Sequence, residues 1–388
     1  MTNLATAVDQ IDLLLASAVD RDEVPGVAAL AAHTNGVTYS GAFGTRKGDD
    51  PWTADSVTWL ASMSKMIVCI GALQLVEQGK LDLDAPLGAL LPQLVRLQVL
   101  EGFDDAGHPL LRPAAAPVTL RKLMSHTAGN GYHFWDANVL RYQQTHGLPS
   151  MIECRESTLT TPLVFDPGMA WEYGMNIDWV GKAVEKASGL SLEDYLRQYV
   201  LDPLGMKDTS FVLSADHRTR LAGMYARTSD GLVPIEFEMT QEPEFFMGGG
   251  AMYGSPADYL TLLRMLLANG TLNGVQILRP DSIAEAMRNQ IGELTIGKIT
   301  SVDPVSSYDV DFLPGTTKKW GLLGMINMEE TPGGRSAGSL FWAGLCNSYF
   351  WVDWNRGNTG VICTQILPFA DPQVLALFDQ FENAARTL

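Results

Sequence analysis

Apolar positions along this chain follow two spacings, and the spacings divide it into regions. Near the start, Ile11, Leu14 and Leu15 recur on one helical face, predicting a helix over about 6–17. Val27–Ala32 and Val37–Phe43 are β-prone runs flanking Thr34-Asn35-Gly36, a strong hairpin signal. A helical middle follows. Thr119 opens a short helix, and Asp178–Ala187 is another, stopped at Ser188-Gly189. Ser191–Val200 opens with a capping box that pairs Ser191 with Asp194. Ser255 caps a helix with Pro256 in its first turn and an apolar face from Tyr259 to Leu267, and Arg279–Arg288 is one more. The pattern then returns to strands at Trp320–Asn327, Leu340–Leu345, Tyr349–Asp353 and Thr359–Leu367, with a turn after Trp354 and a final helix over about 372–385. Strands at both ends around a helical middle predict one discontinuous α/β domain with an antiparallel sheet, formed by residues 1–80 and 295–388. Residues 81–294 form a mostly helical insertion.

One helix breaks the usual amphipathic rule. From Val57 to Val76 the only charged side chain is Lys65, and Met63, Met66, Ile67, Cys69, Ile70, Leu73 and Val76 go nearly all round the wheel. Such a helix is buried. A buried ammonium is costly unless it is paired or loses its proton. Ser62 lies three residues earlier, on the same face and about one turn away. A weak nucleophile thus sits beside an amine that burial makes neutral and basic.

Composition narrows the reading further. The chain has 388 residues, 46% hydrophobic, ample for a large core. Its net charge of −17 repels nucleic acid and anionic membranes, and no basic run offsets it. The N-terminus lacks the basic and apolar regions of a signal peptide, and no apolar run approaches the ~18 residues of a membrane span. Cys69, Cys154, Cys346 and Cys363 show neither zinc-site nor disulfide-framework spacing. A reduced, cytoplasmic protein is the expectation.

A second constellation is Pro167–Asn176, a turn and an aromatic cluster holding Tyr173. Together the pieces resemble a known superfamily. Ser62-Met-Ser-Lys65 resembles the S-x-x-K of serine β-lactamases and penicillin-binding proteins. Tyr173-Gly-Met resembles their tyrosine-based element, and Leu123-Met-Ser-His-Thr-Ala-Gly129 their L-L-S-H-T-S-G segment. Gly248–Tyr259 is similar to a glycine-rich stretch before a helix, and Phe341-Trp342-Ala343-Gly344 occupies the place of the K-T-G strand. The resemblance is strongest to family VIII carboxylesterases and covers nearly the whole chain.

That resemblance implies a β-lactamase-like fold, an antiparallel sheet flanked by helices plus an all-helical lobe, with the site in the cleft between them. It implies Ser62 as acylated nucleophile, with Lys65 and Tyr173 as general base and acid. It implies an oxyanion hole from the backbone N–H groups of Ser62 and Leu345, and substrate contacts at Trp342, Ala343, Gly344 and Met175. Two departures stand out. Met175 replaces the β-lactamase asparagine, and Trp342 replaces a lysine that helps hold a β-lactam carboxylate.

Gly334-Arg-Ser336-Ala-Gly338 also fits G-x-S-x-G, the nucleophile elbow of another hydrolase class. That elbow needs an apolar strand before it, but Met328–Gly333 is a polar turn. It also needs a later histidine, and His33, His108, His126, His133, His146 and His217 all precede Ser336. His126 and His133, near Asp136, lack metal-ligand spacing. The expectation is a cofactor-free, metal-free serine hydrolase acting on short- to medium-chain carboxylic esters, small molecules rather than nucleic acid or membrane. The alternatives are a β-lactamase, peptidase or acyltransferase on the same fold, or a sensor that acylates without turnover.

Overall fold

The computed structural model describes residues 4–388. An eight-stranded antiparallel sheet forms its centre. Its strands are β1 (Gly26–His33), β2 (Gly36–Lys47), β3 (Asp50–Pro51), β4 (Lys318–Trp320), β5 (Met325–Asn327), β6 (Leu340–Gly344), β7 (Ser348–Asp353) and β8 (Asn358–Cys363). They lie in the order β4-β5-β6-β7-β8-β1-β2-β3, so the two ends of the chain meet where β8 pairs with β1. Every residue of β6, β7 and β8 is buried, as is β1 up to His33. This is why these strands read as continuous apolar runs rather than alternating ones: both faces are covered.

The covering helices are α1 (Leu4–Asp20), α2 (Ser64–Glu77), α3 (Asn176–Ser188), α4 (Pro256–Leu267) and α5 (Pro372–Ala385). The first and last pack on each other, α1 against β1 and β2 and α5 against β8. On the sheet, α4 lies over β1, β7 and β8, while α2 packs against α3 from the inserted region. Ser255 caps α4 by accepting the Asp258 N–H, and Gly189 ends α3 at φ 76°, a left-handed conformation that glycine adopts without strain. The insertion holds, besides its helices, small hairpins such as Gln98–Phe103 with Pro109–Pro113 and Met224–Thr228 with Gly231–Ile235. Among the described residues, no helix is long and apolar enough to cross a membrane.

Three local expectations are corrected. Trp320–Asn327 is not one strand: Gly321–Gly324 turns the chain, and β4 and β5 pair across it. The run Thr359–Leu367 stops at Cys363, because Gln365 turns inward to accept the Trp59 N–H at 3.0 Å. Ile366–Leu367 then pairs in parallel with Met224–Thr228. Ser191 does accept the Asp194 N–H, but the Asp194 carboxylate takes the Ser191 hydroxyl at 2.7 Å instead of closing the box on the backbone.

The C-terminal helix is tied down by a buried ion pair. Arg335 and Glu382 are 2% and 4% exposed and meet through two bonds of 2.8 and 2.5 Å, with the guanidinium 4.5 Å from the Phe341 ring. Removing one partner strands a buried charge. Arg335→Ala should therefore destabilise the protein by about 3–5 kcal/mol, read as a lower urea midpoint. A loss below about 1 kcal/mol would show that Glu382 finds solvent or another partner.

Candidate active site

The nucleophile candidate stands on a short turn. Ala61–Met63 form one 3-10 turn leading into α2, and Ala61 has φ 46°, an uncommon conformation for a non-glycine residue. Neighbours hold the turn from several sides. Leu60 N–H donates to Met252 O, Met252 N–H to Ser64 Oγ, and Tyr259 OH to Met63 O. Gly344, at the end of β6, lies so close that an added Cβ would sit 2.5 Å from Leu60 O. This approach sets Leu345, the next residue, on the same cleft as Ser62. As an early residue of a helical turn, Ser62 has an amide that no preceding carbonyl of the turn can take.

Lys65 is 4% exposed, and its Nζ lies 3.0 Å from Ser62 Oγ, 3.1 Å from Tyr132 OH and 2.5 Å from Gly249 O. A neutral amine fits this arrangement. It donates to the carbonyl and the phenol and accepts the serine proton on its lone pair. Burial lowers the Lys65 pKa from the ordinary 10.5 to about 7, and the field of Asp178 opposes that fall.

Tyr173 stands across Lys65, whose Nζ is 4.7 Å from the ring centroid. Its hydroxyl accepts the Trp342 indole N–H at 2.7 Å. Burial pushes the Tyr173 pKa far up, so the phenol stays protonated at neutral pH, and the bond from Trp342 only partly offsets this. His126 packs beneath it, 4.5 Å between ring centroids, and edge-on to Trp320 at 5.0 Å. Burial and the charge of Lys65 hold His126 well below its ordinary value, hence neutral. Its Nδ1 meets Asn176 Nδ2 at 3.0 Å. Among the described residues, no three His, Cys, Asp or Glu side chains converge as a metal site requires.

Ser62 and Leu345 line a cleft of about 240 Å³ walled by Trp59, Tyr132, Phe134, Met151, Phe237 and Met247. No lysine or arginine is in that lining. A larger groove of about 610 Å³, around Arg96, Glu156, Trp179 and Lys182, holds none of the groups above. The structure thus brings Ser62, Lys65, Tyr173 and Trp342 together. Met175, Trp342, Ala343 and Gly344, expected against substrate, are buried outside the cleft lining. Ser336 lies in a turn, where its N–H donates to Asp353 Oδ2 at 2.8 Å, with no histidine among its hydrogen-bond partners.

Two residues escaped the sequence reading. Tyr132 follows the Leu123–Gly129 segment directly, and its only signal was that position. Asp178 is an acid between Ile177 and Trp179 in a buried stretch of α3, the same signal that exposed Lys65.

The fold, with a serine three residues before a buried lysine at the start of a buried helix, is that of the serine β-lactamase class. Residues 11–382 match the beta-lactamase family, and the chain belongs to it. It is 30% identical to lovastatin esterase of Penicillium rubens, over 94% of this chain and 95% of that one. It is 32% identical to monacolin J acid methylbutanoyltransferase of Aspergillus terreus, over 98% and 96%. Among solved structures, unliganded simvastatin synthase from Aspergillus terreus superposes with a TM-score of 0.84 at 30% identity, covering 98% of each chain. EstCE1 shares the fold, with a TM-score of 0.75 at 23% identity, over 97% and 98%.

A base that must be neutral gives a pH signature. Its free form grows as pH rises through about 7, so Ser62 labelling by a fluorophosphonate should accelerate across that range. Lys65→Arg keeps the charge but cannot deprotonate, and should slow labelling by about two to four orders of magnitude. Ser336→Ala should leave the rate within a few-fold. An adduct on Ser336 with Ser62 unmodified would overturn the assignment.

Proposed function

We propose that this protein is a serine carboxylesterase that works through an acyl-enzyme on Ser62. The observation that carries the reading is the neutral-amine geometry of Lys65, with Nζ 3.0 Å from Ser62 Oγ. Lys65 takes the Ser62 proton while Oγ bonds to the ester carbonyl carbon. The carbonyl π pair moves onto its oxygen, which the N–H groups of Ser62 and Leu345 receive. The tetrahedral adduct collapses, the C–O bond to the alcohol breaks, and Tyr173 supplies the proton that the alcohol takes. Tyr173 is recharged from Lys65, whose ammonium returns to the amine. Water then repeats the sequence in reverse and frees the acid.

The cleft supports uncharged ester substrates with short to medium acyl groups. Its walls are apolar and aromatic, and its lining offers no cation for a substrate carboxylate. The residue in the place of the lactam-binding lysine is Trp342, whose indole N–H is already committed to Tyr173.

A second reading, acyl transfer to an alcohol, is favoured by the 32% identity to a methylbutanoyltransferase over nearly the whole of both chains. It uses the same acyl-enzyme and differs only in what attacks it. The apolar walls of the cleft, Trp59, Phe134, Met151, Phe237 and Met247, suit the carbon chain of an alcohol acceptor.

Turnover of p-nitrophenyl butyrate should exceed that of nitrocefin by about two orders of magnitude in kcat/KM, the worth of the missing charge-assisted contact. Ser62→Ala should abolish both. Comparable values for the two substrates would move the protein to lactam hydrolysis. Adding a primary alcohol and separating the products decides between the readings. Acid as the main product supports the esterase, and a new ester formed faster than acid supports the transferase.

A further inference from the structure

Asp178 is a fully buried carboxylate on α3, and no ion pair holds it within 4 Å among the described residues. Its Oδ1 accepts the Gly249 N–H at 2.8 Å, and its Oδ2 has no hydrogen-bond partner among the described residues. Gly249 faces two ways: its N–H binds Asp178, and its carbonyl takes the Lys65 amine at 2.5 Å. Space there is tight. A Cβ on Gly249 would lie 3.0 Å from both carboxylate oxygens of Asp178 and from Tyr132 OH. Residue 249 is therefore a glycine so that a carboxylate, a phenol and the lysine can converge on one stretch of backbone.

We propose that Asp178 is a positioning residue for the general base: it fixes the Gly249 carbonyl that takes one Lys65 hydrogen, and it is the anion against which Lys65 holds or releases its proton. This rests on Lys65 being the base for Ser62. The step itself is one proton transfer, from Ser62 Oγ–H to the Lys65 amine, and Asp178 gains and loses nothing in it. A nearby carboxylate stabilises the ammonium, so it delays the release of the Lys65 proton to higher pH and keeps the base strong once free.

The other titratable groups facing this pair are silent near neutral pH. Cys69 on α2, Cys154 in the insertion, and Tyr132 and Tyr173 are all pushed up by burial. His126 is pushed well down. Lys65, lowered to about 7, and Asp178, raised to about 6 by burial against the pull of Lys65, are the two that change charge there. Glu172, raised to about 7 chiefly by burial, precedes Tyr173 but its carboxylate is not among the hydrogen-bond partners of Lys65 or Asp178. It serves as the control.

The experiment is the pH dependence of Ser62 labelling by a fluorophosphonate, which needs no turnover. Asp178→Asn can still accept the Gly249 N–H but carries no charge. It should move the labelling midpoint down by about one pH unit, the direction set by withdrawing an anion from an ammonium. Asp178→Glu, which keeps the charge, should stay closer to the parent midpoint than Asp178→Asn does. Glu172→Gln should leave it in place. An Asp178→Asn variant with a slower plateau but an unmoved midpoint would make Asp178 a helix-end anchor and overturn this proposal alone. A midpoint that follows Glu172→Gln instead would overturn it as well. A parent rate flat from pH 5 to 9 would overturn the base assignment, and this proposal with it. Should neither Asp178 variant fold, the Asp178 carboxyl carbon in the unaltered protein gives the answer by NMR. It should respond at the labelling midpoint as well as near pH 6. A single step with no response at that midpoint overturns the proposal.

Discussion

The interaction on which the rest of this structure depends is the contact between the buried amine of Lys65 and the Ser62 hydroxyl. Lys65 has no carboxylate within 4 Å among the described residues, yet it sits in a helix whose residues from Ser64 to Leu75 are all buried. An amine in that setting meets its hydrogen-bonding needs with neutral groups, and burial eases the loss of its proton. Gly249 O, Tyr132 OH and Ser62 Oγ surround it. The packing of α2 against α3 keeps the amine out of water, and the Gly249 carbonyl of the glycine-rich segment takes one of its hydrogens. A looser helix would admit water, and the amine would regain its proton and lose its use as a base.

The aromatic box around Tyr173 follows from the same requirement. Trp342, Trp320, His126 and Trp171 enclose the phenol, with ring centroids 4.5–6.4 Å away. They exclude water from one side of the site. They also leave the hydroxyl a single indole donor, Trp342, so its own proton is free to point at Ser62 or at a leaving group. Trp342 thereby has a role that its place in the sequence did not suggest. It was expected as a wall for substrate, and its indole N–H is bound to the Tyr173 hydroxyl. The wall of the cleft that holds Ser62 comes instead from Phe134, Phe237, Met151 and Met247, all from the helical middle of the chain.

What could be read from sequence was whatever local physics determines. The lone charge in α2 announced itself because burial of an ammonium needs a reason. The β1–β2 hairpin and α5 were legible from turn residues and periodicity, and α5 spans Pro372–Ala385 as expected. Where the reading fell short, the deciding contact was distant. Tyr132 reaches Lys65 across 67 residues, and Gln365 diverts its strand because of Trp59, 306 residues away. The Gly321–Gly324 turn was hidden inside an apolar run, since the turn itself is buried. Asp178 was visible as an anomaly of the same kind as Lys65, but one acid in a helix's first turn also has a local explanation, as a charge favoured by the helix dipole.

The central claim is that burial holds Lys65 near the point of deprotonation at neutral pH. The most direct test is the carbon-13 NMR titration of the Lys65 Cε in protein made with labelled lysine, its signal identified by its loss in Lys65→Arg. A midpoint near 7, well below that of the other lysines, is the predicted result. A midpoint at the ordinary lysine value of about 10.4 would contradict it, because the amine would then be a fixed charge and Ser62 would need another base.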